Sequence, residues 1–398
     1  MNILLSQLGA EQADRFASHL VRQACIRAFP PLKSMEMFLT ENCNLQCDYC
    51  FVRGKSPKRM SWDVAQKAVD LLFANSGDAK DINITFFGGE PFLEFELMKR
   101  IAEYSRIRAS ELGKTVGFAV TTNGTIMNEE IAAFGRNNGF NIMFSIDGIR
   151  KAHDLHRVFQ GSRKGSWDIV TENLRLLKAT QGWLGARVTV SPDNVASLSL
   201  GIKTLFDMGI NQFIIGSDDD CEWNQEEMNI LALEMHRIAE FYIEAKAKGL
   251  PIRITAFEKS VEELRSKYRD LWGCDAASTK IAISPEGDIY PCCKFVDSYP
   301  GVERYKLGNV YDGITGVEAR MELVNGGLAK RPKCADCDYR EQCVGLCYAV
   351  CAYRNGSPFE PYESGCFQVR LHRELLSKLP KEMRVHNAQN QRNIAKIL

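Results

Sequence analysis

Three cysteines within eight residues constrain this chain more than any other feature of its sequence. They lie at Cys43, Cys47 and Cys50 with the spacing C-x3-C-x2-C, directly after Met35–Thr40, a run that predicts a β-strand. Three thiolates on one loop can bind three irons of a [4Fe–4S] cluster, because each iron takes one ligand. The fourth iron would lack a protein ligand, and an open coordination position is typical of a catalytic metal site.

A zinc site or a set of buried free thiols is the alternative interpretation of these three cysteines. Structural zinc takes four protein ligands, and the nearest further candidates, His19 and Cys25, lie upstream of the predicted strand. The spacing therefore favours an iron–sulfur site.

The segment resembles the cluster motif of the radical S-adenosylmethionine (SAM) enzymes, which has an aromatic residue at the position of Tyr49. The resemblance implies that Cys43, Cys47 and Cys50 bind a catalytic [4Fe–4S] cluster. It further implies that SAM's methionine group binds the open iron and that an electron from ferredoxin or flavodoxin triggers SAM cleavage. The resulting radical would abstract hydrogen from a C–H bond of the substrate.

Composition excludes several other classes of protein. Fifty basic and fifty acidic residues in 398 leave no net charge, which predicts neither nucleic acid nor a membrane surface as a partner. No run of about 18 apolar residues occurs, and Met1–Ala10 lacks the pattern of a signal peptide. Fourteen cysteines without an export signal therefore predict metal ligands in the reducing cytoplasm.

Strand and helix patterns alternate six times from residue 35 onwards, which predicts an α/β fold with a parallel barrel or partial barrel. The resemblance sharpens this prediction to a partial (β/α)6 TIM-like barrel over residues 35–250. The expected strands are Met35–Thr40, Asn83–Phe87, Val116–Thr122, Asn141–Ile146, Ala186–Val190 and Gln212–Ile215.

Glycine-rich and polar motifs follow three of these strands, and parallel strands bring their carboxyl ends to one edge. Each motif has a plainer interpretation: Gly-Gly and Asn-Gly are ordinary turn signals, and Arg157 could form a surface ion pair with Asp154. The resemblance implies SAM-binding roles instead: the Gly-Gly-Glu segment for the amino group, a Ser and an Asp for the ribose, and Arg157 for the carboxylate. The residues are Tyr49, Gly88, Gly89, Glu90, Asn123, Ser145, Asp147 and Arg157.

Nine further cysteines lie between residues 274 and 366, where zinc ribbons are the alternative because C-x2-C pairs serve zinc equally well. Their order resembles the SPASM extension of radical SAM enzymes, which holds two auxiliary [4Fe–4S] clusters. By position, the cluster nearer the barrel would bind Cys274, Cys292 and Cys347. The distal cluster would bind Cys334, Cys337, Cys343 and Cys366. The run Ile281–Tyr290 predicts a β-hairpin that brings Cys274 and Cys292 together.

Two positions depart from the family pattern. Lys280 stands where fully ligated relatives have a further cysteine, so Cys293, a substrate group or no ligand would complete the near cluster. Cys293 stands where the sulfatase-maturing branch has an aspartate base. We therefore expect a maturase that forms an oxidative cross-link, thioether or C–C, in a ribosomally made peptide. A sulfatase-maturing (formylglycine-generating) enzyme and a zinc-binding scaffold protein are the alternatives.

The remaining segments complete the predicted organisation. Residues 1–34 form a helical segment, 251–272 a bridge, 273–372 the small α+β SPASM domain and 373–398 a helical tail. The segment before Cys43 is shorter than the winged-helix leader-recognition domain of some relatives, so a separate leader-recognition protein is a further expected partner beside the precursor peptide or protein.

Overall fold

The computed structural model describes residues 29–218, 220–258, 274–296, 299–340, 343 and 345–380. Most of the predicted helical segment 1–34 and most of the predicted tail lie outside this range. The same is true of most of the predicted bridge.

Eleven strands form one sheet within the described residues. They are β1 (Ser34–Thr40), β2 (Asp81–Gly88), β3 (Thr115–Thr122), β4 (Phe140–Ser145), β5 (Gly185–Val190), β6 (Gln212–Ser217), β7 (Arg253–Ile254), β8 (Lys280–Ile283), β9 (Asp288–Tyr290), β10 (Gly308–Asn309) and β11 (Gly313–Ile314). Their order in the sheet is β11-β10-β9-β8-β1-β2-β3-β4-β5-β6-β7. The bounds of β1 to β6 agree with the predicted strands to within two residues.

The strands from β1 to β7 pair in parallel with their sequence neighbours, and β8 pairs in parallel with the other edge of β1. Strands β8 and β9 form the predicted hairpin, and β10 and β11 extend it as antiparallel strands. Because β8 pairs with β1, one sheet spans both the barrel and the cysteine-rich region. The α/β fold with a partial barrel and a small cysteine-rich α+β region is confirmed, whereas the domain boundaries remain predictions.

Helices connect the parallel strands, and eight of the eleven described helices precede residue 259. They are α1 (Trp62–Ala74), α2 (Phe95–Glu111), α3 (Glu129–Asn137), α4 (Arg150–His156), α5 (Trp167–Thr180), α6 (Leu198–Asp207), α7 (Gln225–Ala247), α8 (Thr255–Glu258), α9 (Val317–Val324), α10 (Tyr348–Asn355) and α11 (Glu363–Lys378). Local sequence fixes their ends: the Ser61 side chain caps α1, and Asn224 with Glu227 forms a capping box at the start of α7.

Alternation along the strands separates a packed face from a functional face. On β1, Met35 and Met37 are fully buried, whereas Glu36 between them lines an internal cavity. On β5, Ala186 and Val188 are buried and Arg187 lines the same cavity. Successive side chains of a strand point to opposite faces, so the polar residues of otherwise apolar strands face the barrel interior. Among the described residues, no helix is long and apolar enough to cross a membrane.

Candidate active site

A cavity of about 550 Å³ runs through the interior of the barrel. Its lining extends from Ser34 and Asn83, near the amino ends of β1 and β2, to Gly88 and Ser217 at the carboxyl ends of β2 and β6. Cysteine-rich segments contribute to the same cavity through Cys293 and other residues. Segments from both cysteine regions of the sequence therefore contribute to the wall of one cavity.

The loop after β1 brings the first three cysteines to this cavity, since Cys43, Cys47 and Cys50 all line it. The amide of Cys50 donates to the carbonyl of Cys47 at 3.3 Å. The Sγ of Cys43 accepts from the amide of Leu45 at 3.4 Å and lies 3.7 Å from Nδ2 of Asn123. Both donors stabilise negative charge on this sulfur.

The thiol electrostatics match a set of metal ligands. Burial raises the pKa of Cys43, which Lys55 opposes, and raises the pKa of Cys47 to about 12, which Arg157 opposes. A bound metal supplies the positive charge that favours the thiolate form of such thiols. Three soft sulfur donors on one loop fit a [4Fe–4S] cluster. No three His, Cys, Asp or Glu side chains in the described segments are grouped to hold a single metal ion.

Gly88 and Gly89 let the loop after β2 pack against the backbone of the cysteine loop. A Cβ on Gly88 would lie 2.2 Å from the carbonyl oxygen of Thr40, and one on Gly89 would lie 2.0 Å from that of Asn42. The Gly89 amide donates to Thr40, and the amide of Glu90 to Asn42, at 2.8 and 2.9 Å. Gly88 has a φ of 121°, which disfavours other residues. Both glycines also line the cavity, so their backbones remain exposed to a ligand.

Glu90 is fully buried and does not line the cavity. Its carboxylate accepts hydrogen bonds from the amide of Asn123 and the hydroxyl of Thr122, each at 2.8 Å, and from the amide of Phe92 at 3.1 Å. Burial raises its pKa to about 7 against these hydrogen bonds. In this structure Glu90 joins the loops after β2 and β3, and its contact with SAM stays a prediction.

Asn123 and Ser145 lie on the cavity wall, as expected of ligand-contacting residues. Nδ2 of Asn123 donates to Oδ1 of Asn44 at 2.8 Å, and its Oδ1 accepts from the hydroxyl of Thr125 at 2.6 Å. The loop after β3 is therefore attached to the cysteine loop through side chains as well as backbone.

Asp147 and Arg157 form a buried ion pair with each other. Nε and Nη2 of Arg157 donate to the two carboxylate oxygens at 2.7 and 3.1 Å, and the amide of Thr189 donates to Oδ1 at 2.8 Å. The Tyr49 hydroxyl is a further donor to Asp147, and the Arg157 guanidinium lies 5.2 Å from the Tyr49 ring centre. Burial would raise the pKa of Asp147, but Arg157 holds it below its ordinary value.

This ion pair bears on two sequence-based expectations. Asp147 is not on the cavity wall, whereas Tyr49 and Arg157 are, so the Asp147 carboxylate positions those two side chains, and its contact with the ribose stays a prediction. The alternative pairing of Arg157 with Asp154 does not occur in the described structure, because Asp154 instead accepts from the amide of Trp167 at 2.9 Å.

The thiols assigned to the near cluster also lie together, beside β1. Burial raises the pKa of Cys347, and the neighbouring Cys292 and Cys274 raise it further. Glu36 accepts from the amide of Cys293 at 2.7 Å and forms an ion pair with Lys280 at 3.4 Å. The position that lacks a cysteine is therefore occupied by a lysine whose charge Glu36 balances.

The thiols assigned to the distal cluster form a second group. Burial raises the pKa of Cys334, Arg331 opposes this shift, and Cys343 and Cys337 add to it. Burial raises the pKa of Cys366 to about 11, with Cys334 and Cys343 among its neighbours. Cys351 has neighbours in both assigned groups, Cys347 in the near one and Cys334 and Cys366 in the distal one. The division of these cysteines between two clusters therefore stays a prediction.

Several charged residues of the cavity wall were missed by sequence reasoning, among them Glu36, Arg187 and Lys294. The signal for the first two was present, because each interrupts an alternating apolar strand, as in Ala186-Arg187-Val188. Lys294 follows Cys293 in an irregular segment, where no periodic pattern indicates which way a side chain faces.

Comparisons with known proteins agree with this geometry. Residues 37–194 match the Radical SAM superfamily, and residues 274–338 match SPASM, an iron–sulfur cluster-binding domain. The chain is 23% identical to a cysteine-type anaerobic sulfatase-maturating enzyme of Clostridium novyi, over 79% of this chain and 88% of the relative. It is also 23% identical to the antilisterial bacteriocin subtilosin biosynthesis protein AlbA of Bacillus subtilis, over 92% of this chain and 74% of the relative.

A solved structure shares the fold over most of the chain. It is that of native anSMEcpe with bound AdoMet, with a TM-score of 0.72 and 20% sequence identity. The similarity covers 87% of this chain and 96% of that chain.

Proposed function

Because this chain is a radical SAM enzyme with a SPASM domain, of a family that binds [4Fe–4S] clusters and SAM, we propose that it forms an oxidative cross-link in a ribosomally made peptide. The new bond would be a thioether or a carbon–carbon bond. One observation carries this proposal: both cysteine regions contribute to the wall of a single cavity.

The cysteines provide the ligands in this proposal. Cys43, Cys47 and Cys50 bind the SAM cluster, and Cys274, Cys292 and Cys347 bind the near auxiliary cluster. The distal auxiliary cluster takes Cys334, Cys337, Cys343 and Cys366. When bound, the first cluster and SAM supply the carbon-centred radical that removes a hydrogen atom from the peptide.

The remaining residues of the site orient SAM and shield the reacting groups from water. Asp147 fixes the directions of Tyr49 and Arg157, and the Gly88-Gly89 backbone with Asn123 and Ser145 offers polar contacts to SAM. Apolar wall residues such as Phe87 and Met143 exclude water from the reacting groups.

The stoichiometry of a cross-link favours an oxidative reaction. Joining two peptide atoms removes two hydrogens, so a proton and an electron must leave the peptide besides the abstracted hydrogen atom. Lys280 lines the cavity, and Cys292 and Cys274 lie near enough to influence its charge, which supports an electron acceptor next to the peptide. Ferredoxin or flavodoxin as the donor and a separate leader-recognition protein are the further partners of this proposal.

Mass spectrometry of a short peptide encoded beside this gene, after co-expression with the enzyme, tests the proposal. We expect the peptide to lose two hydrogens and to contain fragments joined across the new bond. A Cys334→Ala variant serves as the matched control, because it keeps the SAM site. A peptide that stays unmodified while SAM is cleaved would contradict the proposal.

Formation of formylglycine on a sulfatase is the second candidate. The similarity to a sulfatase-maturating enzyme over 79% of this chain favours it, whereas Cys293 stands where that branch has its aspartate base. A sulfatase-derived peptide with a reactive Cys or Ser separates the two functions, since only this reaction gives an aldehyde that hydrazide reagents label. A Cys293→Asp variant that gains this activity would indicate a close evolutionary link rather than a present function.

A further inference from the structure

Among the described residues, most cations of the barrel cavity have an identified partner within the protein, and one does not. Arg157 pairs with Asp147, Lys280 pairs with Glu36, and Lys55 donates to the carbonyl of Leu45 at 2.8 Å. The Arg187 guanidinium also lines the cavity. In the described structure it makes no hydrogen bond or ion pair.

The surroundings of Arg187 disfavour an uncompensated charge. Burial lowers its pKa and Arg157 adds to this, whereas Cys293 and Asp147 act in the opposite direction. Withdrawing a cation from water costs free energy unless an anion or hydrogen-bond acceptors replace the solvent. A ligand that brings an anion into the cavity would supply that replacement.

The neighbouring strands hold this side chain in place. Ala186 and Val188, on either side of Arg187 along β5, are buried. On β6 a Cβ at Gly216 would lie 2.8 Å from Nη2 of Arg187. The glycine therefore leaves the space in which the guanidinium lies.

Arg187 occupies the middle of the cavity, between the two proposed cofactor regions. Its backbone pairs with Ser145 on the SAM side, and Cys293 and Lys294 lie on the auxiliary side, close enough for their charges to influence each other. Lys294 lines the same cavity and adds a second positive charge. A peptide between the two cofactor regions would meet both cations.

We propose that Arg187, supported by Lys294, binds the side-chain carboxylate of an Asp or Glu in the peptide substrate. A guanidinium binds carboxylate through two parallel N–H donors, which fixes orientation as well as affinity. The proposal rests on the proposed peptide maturase function and names the substrate class of that site: a peptide with an acidic residue next to the modified position.

A displayed library of random decapeptides, selected on the SAM-bound holoenzyme, tests the proposal. We expect selected peptides to hold Asp or Glu at one position about tenfold more often than the input, since a charge-assisted hydrogen bond is worth at least about 1.5 kcal/mol. Arg187→Gln should remove this preference. Arg136→Gln, which changes an exposed arginine on α3, should retain it.

A second variant tests the same residue without removing its charge. In Gly216→Ala the new Cβ would displace the guanidinium, whose flexible side chain can move without unfolding the sheet. We expect the preference for an acidic residue to weaken in this variant as well. Arg187→Lys, which keeps the charge and loses the paired donors, should show an intermediate preference.

Three results would overturn the proposal. Peptides selected without an acidic preference, or with one that survives Arg187→Gln, would contradict it and leave the peptide maturase function standing. Loss of affinity for SAM but not for decarboxylated SAM in Arg187→Gln would assign the guanidinium to the methionine carboxylate instead. Selection of no peptide by the wild-type holoenzyme would contradict the maturase function itself.

Discussion

The barrel site and the downstream cysteine region are held together in different ways. In the barrel, the amides of Gly89 and Glu90 and the side chain of Asn123 hold the cysteine loop through protein–protein hydrogen bonds. Between residues 331 and 347, the described chain forms only one short 3-10 turn, Pro332–Cys334, before α10 begins. The barrel loop is therefore organised by the protein, whereas the downstream segment has few regular contacts of its own.

The bonding partners of two buried arginines, Arg157 in the barrel and Arg331 downstream, differ in the same way. Arg157 faces the carboxylate of Asp147. Arg331 is 1% exposed, donates from Nε to the carbonyl of Gly326 at 3.2 Å, and has an Nη2 without a hydrogen-bond partner among the described residues. The thiols of Cys334 and Cys343 lie near Arg331. We infer that thiolate ligands of a bound cluster complete the surroundings of Arg331, which makes this region depend on metal.

The largest expected effect is the loss of one activity, product formation, from a variant of the downstream region that keeps the other, SAM cleavage. In Cys334→Ala, product formation should be lost while SAM cleavage continues, because the altered thiol belongs to the distal group only. Production of 5′-deoxyadenosine and of cross-linked peptide, measured in the same reaction, checks this outcome. Cys221→Ala is the matched control, since this half-buried thiol belongs to neither proposed group and its loss should not change iron content. Loss of SAM cleavage in Cys334→Ala would show that the two regions do not have separate functions.

Removal of iron should affect the two regions unequally. Structural metal sites contribute on the order of 10 kcal/mol to folding, so amides between residues 332 and 347 should exchange at nearly unprotected rates after chelation. The amides of β1 and β2 should remain protected, because strand hydrogen bonds hold them. Hydrogen exchange with mass spectrometry measures both. Equal loss of protection in the two regions would show that the barrel loop also depends on metal.

The ion pair of the barrel should contribute strongly to stability. Arg157→Gln leaves the Asp147 carboxylate buried and unpaired, which should lower the free energy of unfolding by about 3–5 kcal/mol. Arg150→Gln breaks an ion pair with Asp168 in which both side chains are more than half exposed, so its cost should be much smaller. Urea unfolding of both variants checks this difference. Similar values for the two would mean that the buried pair does not organise the site.

Glu90 gives the smallest expected effect, which depends on pH. Its pKa rises from 4.5 to about 7 on folding, so its contribution to stability is present below pH 4.5 and is lost as pH rises through 7. The loss amounts to about 3 kcal/mol. Urea unfolding at several pH values should show wild-type stability falling relative to Glu90→Gln over this range. Parallel profiles would show that folding does not shift the pKa of Glu90.

The sequence predicts regular, locally encoded features of this fold well. The hairpin of β8 and β9 and the parallel strands β1 to β6 follow from short-range patterns and occur as predicted. The pairing of β8 with β1 joins segments separated by more than two hundred residues. The register of this strand pair depends on tertiary packing, so short-range sequence patterns do not indicate it.

The bonding partners of polar side chains at the site were harder to predict than the positions of those residues. Asp147 and Arg157 were placed near a strand end, and the sequence did not indicate that the two bond to each other. Their contacts with SAM stay predictions. Sequence shows that charged residues converge and does not show which of them pair. The glycines after β2 likewise indicate a close approach, and only the structure shows that the carbonyls of Thr40 and Asn42 lie there.

Reductive cleavage of SAM by the anaerobically reconstituted protein, compared between wild type and Cys43→Ala, tests the central claim most directly. The wild-type protein should contain iron and produce 5′-deoxyadenosine when dithionite is added. Cys43→Ala should lower this production to the level without enzyme, because the cluster beside the cavity loses a ligand. Continued cleavage by Cys43→Ala, or a wild-type protein that binds no iron, would contradict the account.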